Sequence, residues 1–237
     1  MSKFVLLHGA FHGGWCWALV ADRLRRAGHV VHTPTQTGLG ERRHLLSRDI
    51  TVETFVLDLV NVMEAEELTD AVLVGHSFGG NAISGAADRV PHRLRHLIYL
   101  DSMVLENGET PFAGLSPEVA QARRQQALTS SNGLSVPVPA PSVFGVPDGP
   151  GADWLMRRLT PHPLNTYETP LRLRHPLGNG LPCTYIACVD PIYPALESSR
   201  QRVRDRPGWT WRDLATGHDA MITAPAALSE LLIEIAG

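Results

Sequence analysis

Short continuous apolar runs, alternating with amphipathic stretches, confine this chain to one broad architecture. "KFVLLH", "HVVHTPT", "AVLVG" and "LRHLIYLD" read as strands buried on both faces. Between them, "WCWALVADRLRRAG" places Trp17, Val20, Leu24 and Ala27 on one helical face, with Gly28 as the stop. Thr51 is placed to cap a second helix. There Ile50 and Phe55 have hydrophobic-staple spacing, and Phe55, Val56, Leu59 and Met63 continue the stripe. "FGGNAISGAADR" reads as a helix of small residues. Strands without polar alternation, separated by helices, call for a parallel sheet covered on both faces.

The rhythm breaks between about Met103 and Gly180. "SVPVPAPSVFGVPDGPG" and "LTPHPLNTYETPL" hold too many prolines to be central strands. It resumes with "CTYIACVD", a helix near Leu196 to Arg204, "WTWRDLA" and a last helix. That helix has Pro225 in its first turn and a stripe of Leu228, Leu231, Leu232 and Ile235. The expected fold is α/β, a mostly parallel six-stranded sheet flanked by helices. Residues 1–102 and 181–237 form its core. Residues 103–180 form a small, mainly helical lid that leaves and re-enters at the carboxyl edge of the sheet. Phe112, Phe144, Trp154, Leu155 and Leu159 give that insertion apolar surface to pack.

Composition narrows the partners. A net charge of −3 argues against a nucleic-acid or anionic-membrane surface. No window approaches the ~18 apolar residues of a membrane span, and "MSKFVLLHGA" lacks a signal-peptide layout. Cys16, Cys183 and Cys188 are an odd, sparse set without metal-finger spacing, as expected of free thiols in a reducing compartment. The expectation is a cytoplasmic protein acting on a small molecule, with a homodimer left open. No metal or cofactor is expected. His92 and His96 have helical spacing, but they straddle a strand start and have no third ligand near in sequence.

"DAVLVGHSFGG" carries the chemistry. Gly75-x-Ser77-x-Gly79, between a buried strand and a helix, has the form of a nucleophile elbow. Such a turn forces the serine into a strained conformation and lifts its hydroxyl above the carboxyl edge of the sheet. A hydroxyl needs a base, and His218 in "DLATGHDAMITAP" lies in a loop opening at that edge. The base needs an acid to hold its tautomer. Asp190, ending "TYIACVD", is the first choice, and Asp101, ending "LIYLD", is the rival. Two backbone N–H groups should face the developing oxyanion. Phe78 is one, and Ala10 in "LLHGAFHGGW" is the other, with Phe11 as second choice. His8, His12 and His76 are scaffold or pocket lining; Phe11, His76 and Trp154 are the expected substrate contacts.

"FVLLHGAFHGGWCW", "GHSFGG", "YIACVDPIYP" and "GHDAM" resemble the α/β-hydrolase branch that holds plant methylesterases and hydroxynitrile lyases. "TGLGERRHL" and "LTPHPLNTYETPL" are more similar to bacterial carboxylesterases of that branch, including pyrethroid-hydrolysing ones. The resemblance covers nearly the whole core and the end of the insertion, not its middle. It implies an α/β-hydrolase fold, a Ser77–Asp190–His218 triad, an Ala10/Phe78 oxyanion hole and cofactor-free hydrolysis of carboxylic esters of small to medium apolar molecules. One departure stands out: relatives often have Cys-Thr-Glu-Asp before the acid loop, where this chain has the shorter Cys188-Val189-Asp190. The competing readings are a specialised-metabolite enzyme of the same fold, a hydroxynitrile lyase and a non-catalytic binder. The first of these covers lactone, amide or carbamate hydrolysis and non-hydrolytic cyclisation. The lyases carry a threonine in the oxyanion turn and a lysine after the histidine, where Gly9 and Asp219 stand here.

Overall fold

A computed structural model describes residues 1–237. The strands, in chain order, are β1 (Lys3–Leu7), β2 (Val30–His32), β3 (Ala71–His76), β4 (Leu94–Leu100), β5 (Ser135–Val136), β6 (His162–Pro163), β7 (Cys183–Cys188) and β8 (Trp209–Leu214). Six of them form one parallel sheet in the order β2-β1-β3-β4-β7-β8. β2 is shorter than "HVVHTPT" suggests, because Pro34 cannot donate to a ladder.

Alternate residues of each strand serve opposite faces. Phe4, Leu6, Val72, Val74, Ile98 and Leu100 pack beneath α1 (Ala18–Arg26), which contributes Val20 and Leu24. Val5, Leu7, Leu73, Leu97 and Tyr99 face the other way. They meet Phe55 and Leu59 of α2 (Val52–Ala65) and Ile83 of α3 (Gly79–Arg89). Thr51 caps α2 by accepting from the Thr54 N–H, and the Thr54 hydroxyl accepts from the Thr51 N–H in return. The strands therefore read as unbroken apolar runs because both faces are covered, and each buried Val or Leu contributes about 1.5–3 kcal/mol.

Residues 103–180 leave β4 at the carboxyl edge and stand over it. They hold α4 (Pro117–Ser131), α5 (Pro150–Met156), α6 (Asn165–Glu168) and the two-residue antiparallel ribbon of β5 and β6. The return differs from expectation. It runs down beside α3, where the Asp88 carboxylate accepts from the Arg174 and His175 N–H groups. It then enters β7 at the opposite edge of the sheet, as the parallel order requires. The last quarter adds α7 (Glu197–Arg204), α8 (Ala220–Thr223) and α9 (Pro225–Ala236), and Leu228 and Leu232 of α9 pack on the α1 face. No helix is long and apolar enough to cross a membrane.

Candidate active site

Ser77 occupies the turn between β3 and α3 with φ of +52°, the left-handed region that costs an L-residue strain. Neighbouring backbone holds it there. The Ser77 N–H donates to the Leu100 carbonyl at 3.1 Å, and the Ser77 carbonyl accepts from the Met103 N–H at 2.9 Å and the Ser102 hydroxyl at 2.7 Å. The glycines around it serve close approach. A Cβ on Gly79 would lie 2.8 Å from the His8 carbonyl oxygen, and one on Gly9 would lie 2.7 Å from the Ser77 Cβ.

The Ser77 Oγ lies 3.0 Å from Nε2 of His218, in the loop between β8 and α8. Nδ1 of His218 lies 2.6 Å from Oδ2 of Asp101. Here the structure corrects the first choice of acid. Asp190 is exposed and its carboxylate makes no hydrogen bond. Beyond β7 the chain turns at once: Val189 bridges Ile192 and the Asp190 N–H donates to the Thr216 carbonyl, and no hydrogen bond joins the Asp190 carboxylate to His218. Asp101 directly follows β4, one strand nearer to Ser77, and its φ of +38° brings the carboxylate to the imidazole. It is fully buried and well partnered. Its Oδ1 accepts from Arg200 Nη2 at 2.7 Å and from the Cys188 N–H at 3.3 Å.

Four buried histidines build the surroundings, and their partners reveal their states. His8 donates from Nδ1 to the Gly9 carbonyl and accepts at Nε2 from the Gln36 N–H; burial lowers its pKa to about 3, so it is neutral. Burial also holds His76 well below the usual range, and its Nε2–H donates to the His218 carbonyl at 3.0 Å. His12 is the charged one. Burial opposes its charge, but the charge and hydrogen bond of Asp219 and the Ala10 carbonyl together raise its pKa. His162 comes from the insertion. The Thr166 hydroxyl donates to the Pro163 carbonyl and so accepts from His162 Nε2–H, which leaves Nδ1 to accept from the Phe11 N–H at 3.3 Å. Burial keeps this ring neutral as well.

That last bond separates the two oxyanion candidates. The Phe11 N–H is occupied, whereas the Ala10 and Phe78 N–H groups donate to no protein acceptor. His76, His218 and Asp219 lie close enough to suggest a metal site. However, the His218 nitrogens already face Asp101 and Ser77, and His76 Nε2 is a donor, so lone pairs do not converge there.

Ser77, Phe78, Ala10, Phe11, His76 and His218 share one cleft. Trp154 does not line it. It packs edge-on against Trp15, with ring centroids 5.0 Å apart, because α5 lies outside the cleft wall. Phe112 is also withdrawn, stacked on Tyr167 at 4.9 Å. Phe144 does reach the cleft, together with Leu115, Arg123, Tyr167 and Tyr193, which sequence reasoning left unassigned. Tyr193 lies against the His218 ring at 4.3 Å, and Tyr167 lies against Phe78 at 4.9 Å. The quoted strings "DPIYP" and "NTYETP" contain both tyrosines, yet neither has a spacing that marks a pocket residue.

The chain matches the family model described as "Alpha/beta hydrolase family" over residues 4–231. It is 41% identical over 241 residues to a carbendazim hydrolyzing esterase of Nocardioides sp. (strain SG-4G), with 98% of each chain covered. It is 28% identical over 254 residues to methylesterase 10 of Arabidopsis thaliana, covering 100% of this chain and 92% of that one. Among solved structures, an extracellular alpha/beta-hydrolase from a Paenibacillus species superposes with a TM-score of 0.85 at 22% identity, covering 99% and 98% of the chains. A pyrethroid hydrolase from Sphingobium faniae JZ-2 does so with a TM-score of 0.74 at 22% identity, covering 99% and 97%. The strand order, the elbow and these matches lead to one conclusion: this chain belongs to the alpha/beta hydrolase family.

Proposed function

We propose that the protein is a serine esterase that cleaves carboxylic esters of small to medium, largely apolar molecules through an acyl-enzyme on Ser77. The observation that carries this reading is the hydrogen-bonded line from Ser77 through His218 to Asp101, at 3.0 and 2.6 Å. His218 Nε2 takes the Ser77 proton as Oγ attacks the ester carbonyl carbon. The oxyanion that forms is received by the Ala10 and Phe78 N–H groups, and the imidazolium is stabilised by Asp101. His218 then gives its proton to the leaving alcohol oxygen. Water, deprotonated by the same nitrogen, attacks the acyl-enzyme and releases the acid and Ser77. The Arg200 bond fixes the orientation of Asp101, and the His76 bond fixes the backbone of His218.

The test is a chain-length panel of p-nitrophenyl esters with wild type and Ser77→Ala, plus labelling by a serine-directed phosphonate. Loss on the order of 10⁴-fold or more in a folded Ser77→Ala is expected, with the label on Ser77 alone. Near-normal hydrolysis by that variant would remove the mechanism. The 41% identity to a carbendazim hydrolyzing esterase makes carbendazim the second substrate to assay.

A further inference from the structure

Arg123, on α4, lines the Ser77 cleft and also a neighbouring depression that shares Leu115, Tyr193 and Ala195 with it. Removing a guanidinium from water costs free energy unless charge or strong hydrogen bonds replace the water. The other arginines around the site have carboxylates. Arg200 holds Asp101, Arg124 makes a two-point contact with Glu168, and Arg202 makes one with Glu109. Half-buried Arg123 has only two tyrosines: its guanidinium lies over the Tyr167 ring at 5.1 Å, and Nη2 reaches the Tyr193 hydroxyl at 3.5 Å. A ring face offsets part of the cost, and a hydrogen bond at that length offsets little. Most of the five-donor fork is left unused.

The position of this cation gives it meaning. Tyr193 packs on His218 and Tyr167 packs on Phe78, so Arg123 stands one aromatic ring away from the base and one from the oxyanion turn. The remaining lining is mostly apolar. In such a cleft, the few charged groups set orientation and selectivity, and of its two cations His12 already has the Asp219 carboxylate whereas Arg123 has none.

We propose that Arg123 is an anion-recognising residue of the substrate site, and that the preferred esters carry a carboxylate at a distance from the scissile bond. This rests on the esterase reading above. The carboxylate would pair with the guanidinium through two parallel N–H···O bonds, placing the ester carbonyl beside Ser77.

The experiment compares two near-isosteric pairs, with the charge on the acyl side or on the alcohol side. These are methyl 3-carboxybenzoate against methyl 3-acetylbenzoate, and 3-carboxyphenyl acetate against 3-acetylphenyl acetate. In Arg123→Gln, the ratio of kcat/KM for the charged ester over the neutral one should fall about tenfold to a hundredfold in at least one pair, and Arg123→Lys should recover part of it. A bracing role for Arg123 would lower both members equally, and unchanged ratios in both pairs would overturn the proposal. Calorimetry on Ser77→Ala with methyl 3-carboxybenzoate and 3-carboxyphenyl acetate reads binding without turnover. Adding Arg123→Gln should weaken Kd about tenfold or more for at least one of them, while no binding or an unaltered Kd for both would count against it. Failure of the esterase reading shows separately, as wild type that cleaves none of the four esters.

Discussion

Replacing Asp101 by asparagine tests the site most sharply, because the hydrogen-bond directions around it are fixed. Asp101 Oδ1 accepts from Arg200 and from the Cys188 N–H, both obligatory donors. In Asp101→Asn the side-chain oxygen must stay on that side, so the NH₂ turns to His218. His218 Nδ1 then has to accept, which puts its proton on Nε2, facing Ser77. The base is thus already protonated where it must take a proton. Loss of the correct tautomer is worth about 10⁴ in rate, or about 5.5 kcal/mol of barrier. The fold should survive, since the amide oxygen still satisfies Arg200. Asp190→Asn, at an exposed carboxylate without hydrogen bonds, should stay within about twofold of wild type, as surface changes usually do. The assay is kcat on p-nitrophenyl acetate for both variants, with thermal midpoints to confirm folding. A folded Asp101→Asn with more than a tenth of wild-type kcat, beside a crippled Asp190→Asn, would refute the reasoning and give the acid role to Asp190.

Three further outcomes are expected. Gly79→Ala should lower the urea unfolding free energy by about 1–3 kcal/mol, because its Cβ would meet the His8 carbonyl oxygen at 2.8 Å; an unchanged midpoint would show that β1 yields easily. His8, His76 and His162 have lowered folded pKa values, so the unfolded chain binds more protons below about pH 6.5 and stability falls with acidification. Each steepens that fall by up to about 1.4 kcal/mol per pH unit, and for His8 the window runs down to about pH 3. His12 has the opposite sign: its raised pKa gives stability that is complete below its unfolded value and lost as pH rises through the folded one. Urea titrations between pH 4 and 8 read both, and stability flat below pH 6 would contradict the assignment of three neutral rings. Trp154→Ala should lower the thermal midpoint through its lost contact with Trp15 and leave chain-length preference as it was; a shifted preference would return Trp154 to the substrate site.

Much of this was readable from the chain, for identifiable reasons. The sheet was legible because strands buried on both faces are unbroken apolar runs, and the elbow because close backbone approach demands glycine at positions such as Gly79. His218 was legible because it follows the last strand of the sheet. The acid was not. Asp101 and Asp190 both stand at the ends of parallel strands on one edge, and only the turn at 189–192 and the backbone angle of Asp101 separate them. The lid was legible as an insertion but not as a surface. Trp154 and Tyr167 are similar in hydrophobic content, yet one faces Trp15 and the other the cleft, a choice made by packing without any period in sequence. Arg123 was hidden among the arginines of α4, where its neighbour Arg124 has the more ordinary role.

The Phe11 residue is clasped from both sides by the insertion: its N–H goes to His162 and its carbonyl accepts from the Thr160 N–H at 2.9 Å. The strap from 160 to 162 is therefore part of the floor of the Ser77 cleft, despite lying in the segment that covers it. It cannot swing out as a hinged flap without unmaking the turn that carries Ala10. Hydrogen exchange at the Phe11 and Thr160 amides would register such an opening as one event, and separate rates would show the clasp to be loose. Away from that latch, the cleft borders a larger depression along Leu115, Arg123, Tyr193 and Ala195, which line both. The covering segment is thus tied to the floor of the cleft at 160–162, while Arg123 stands where the two hollows share their lining.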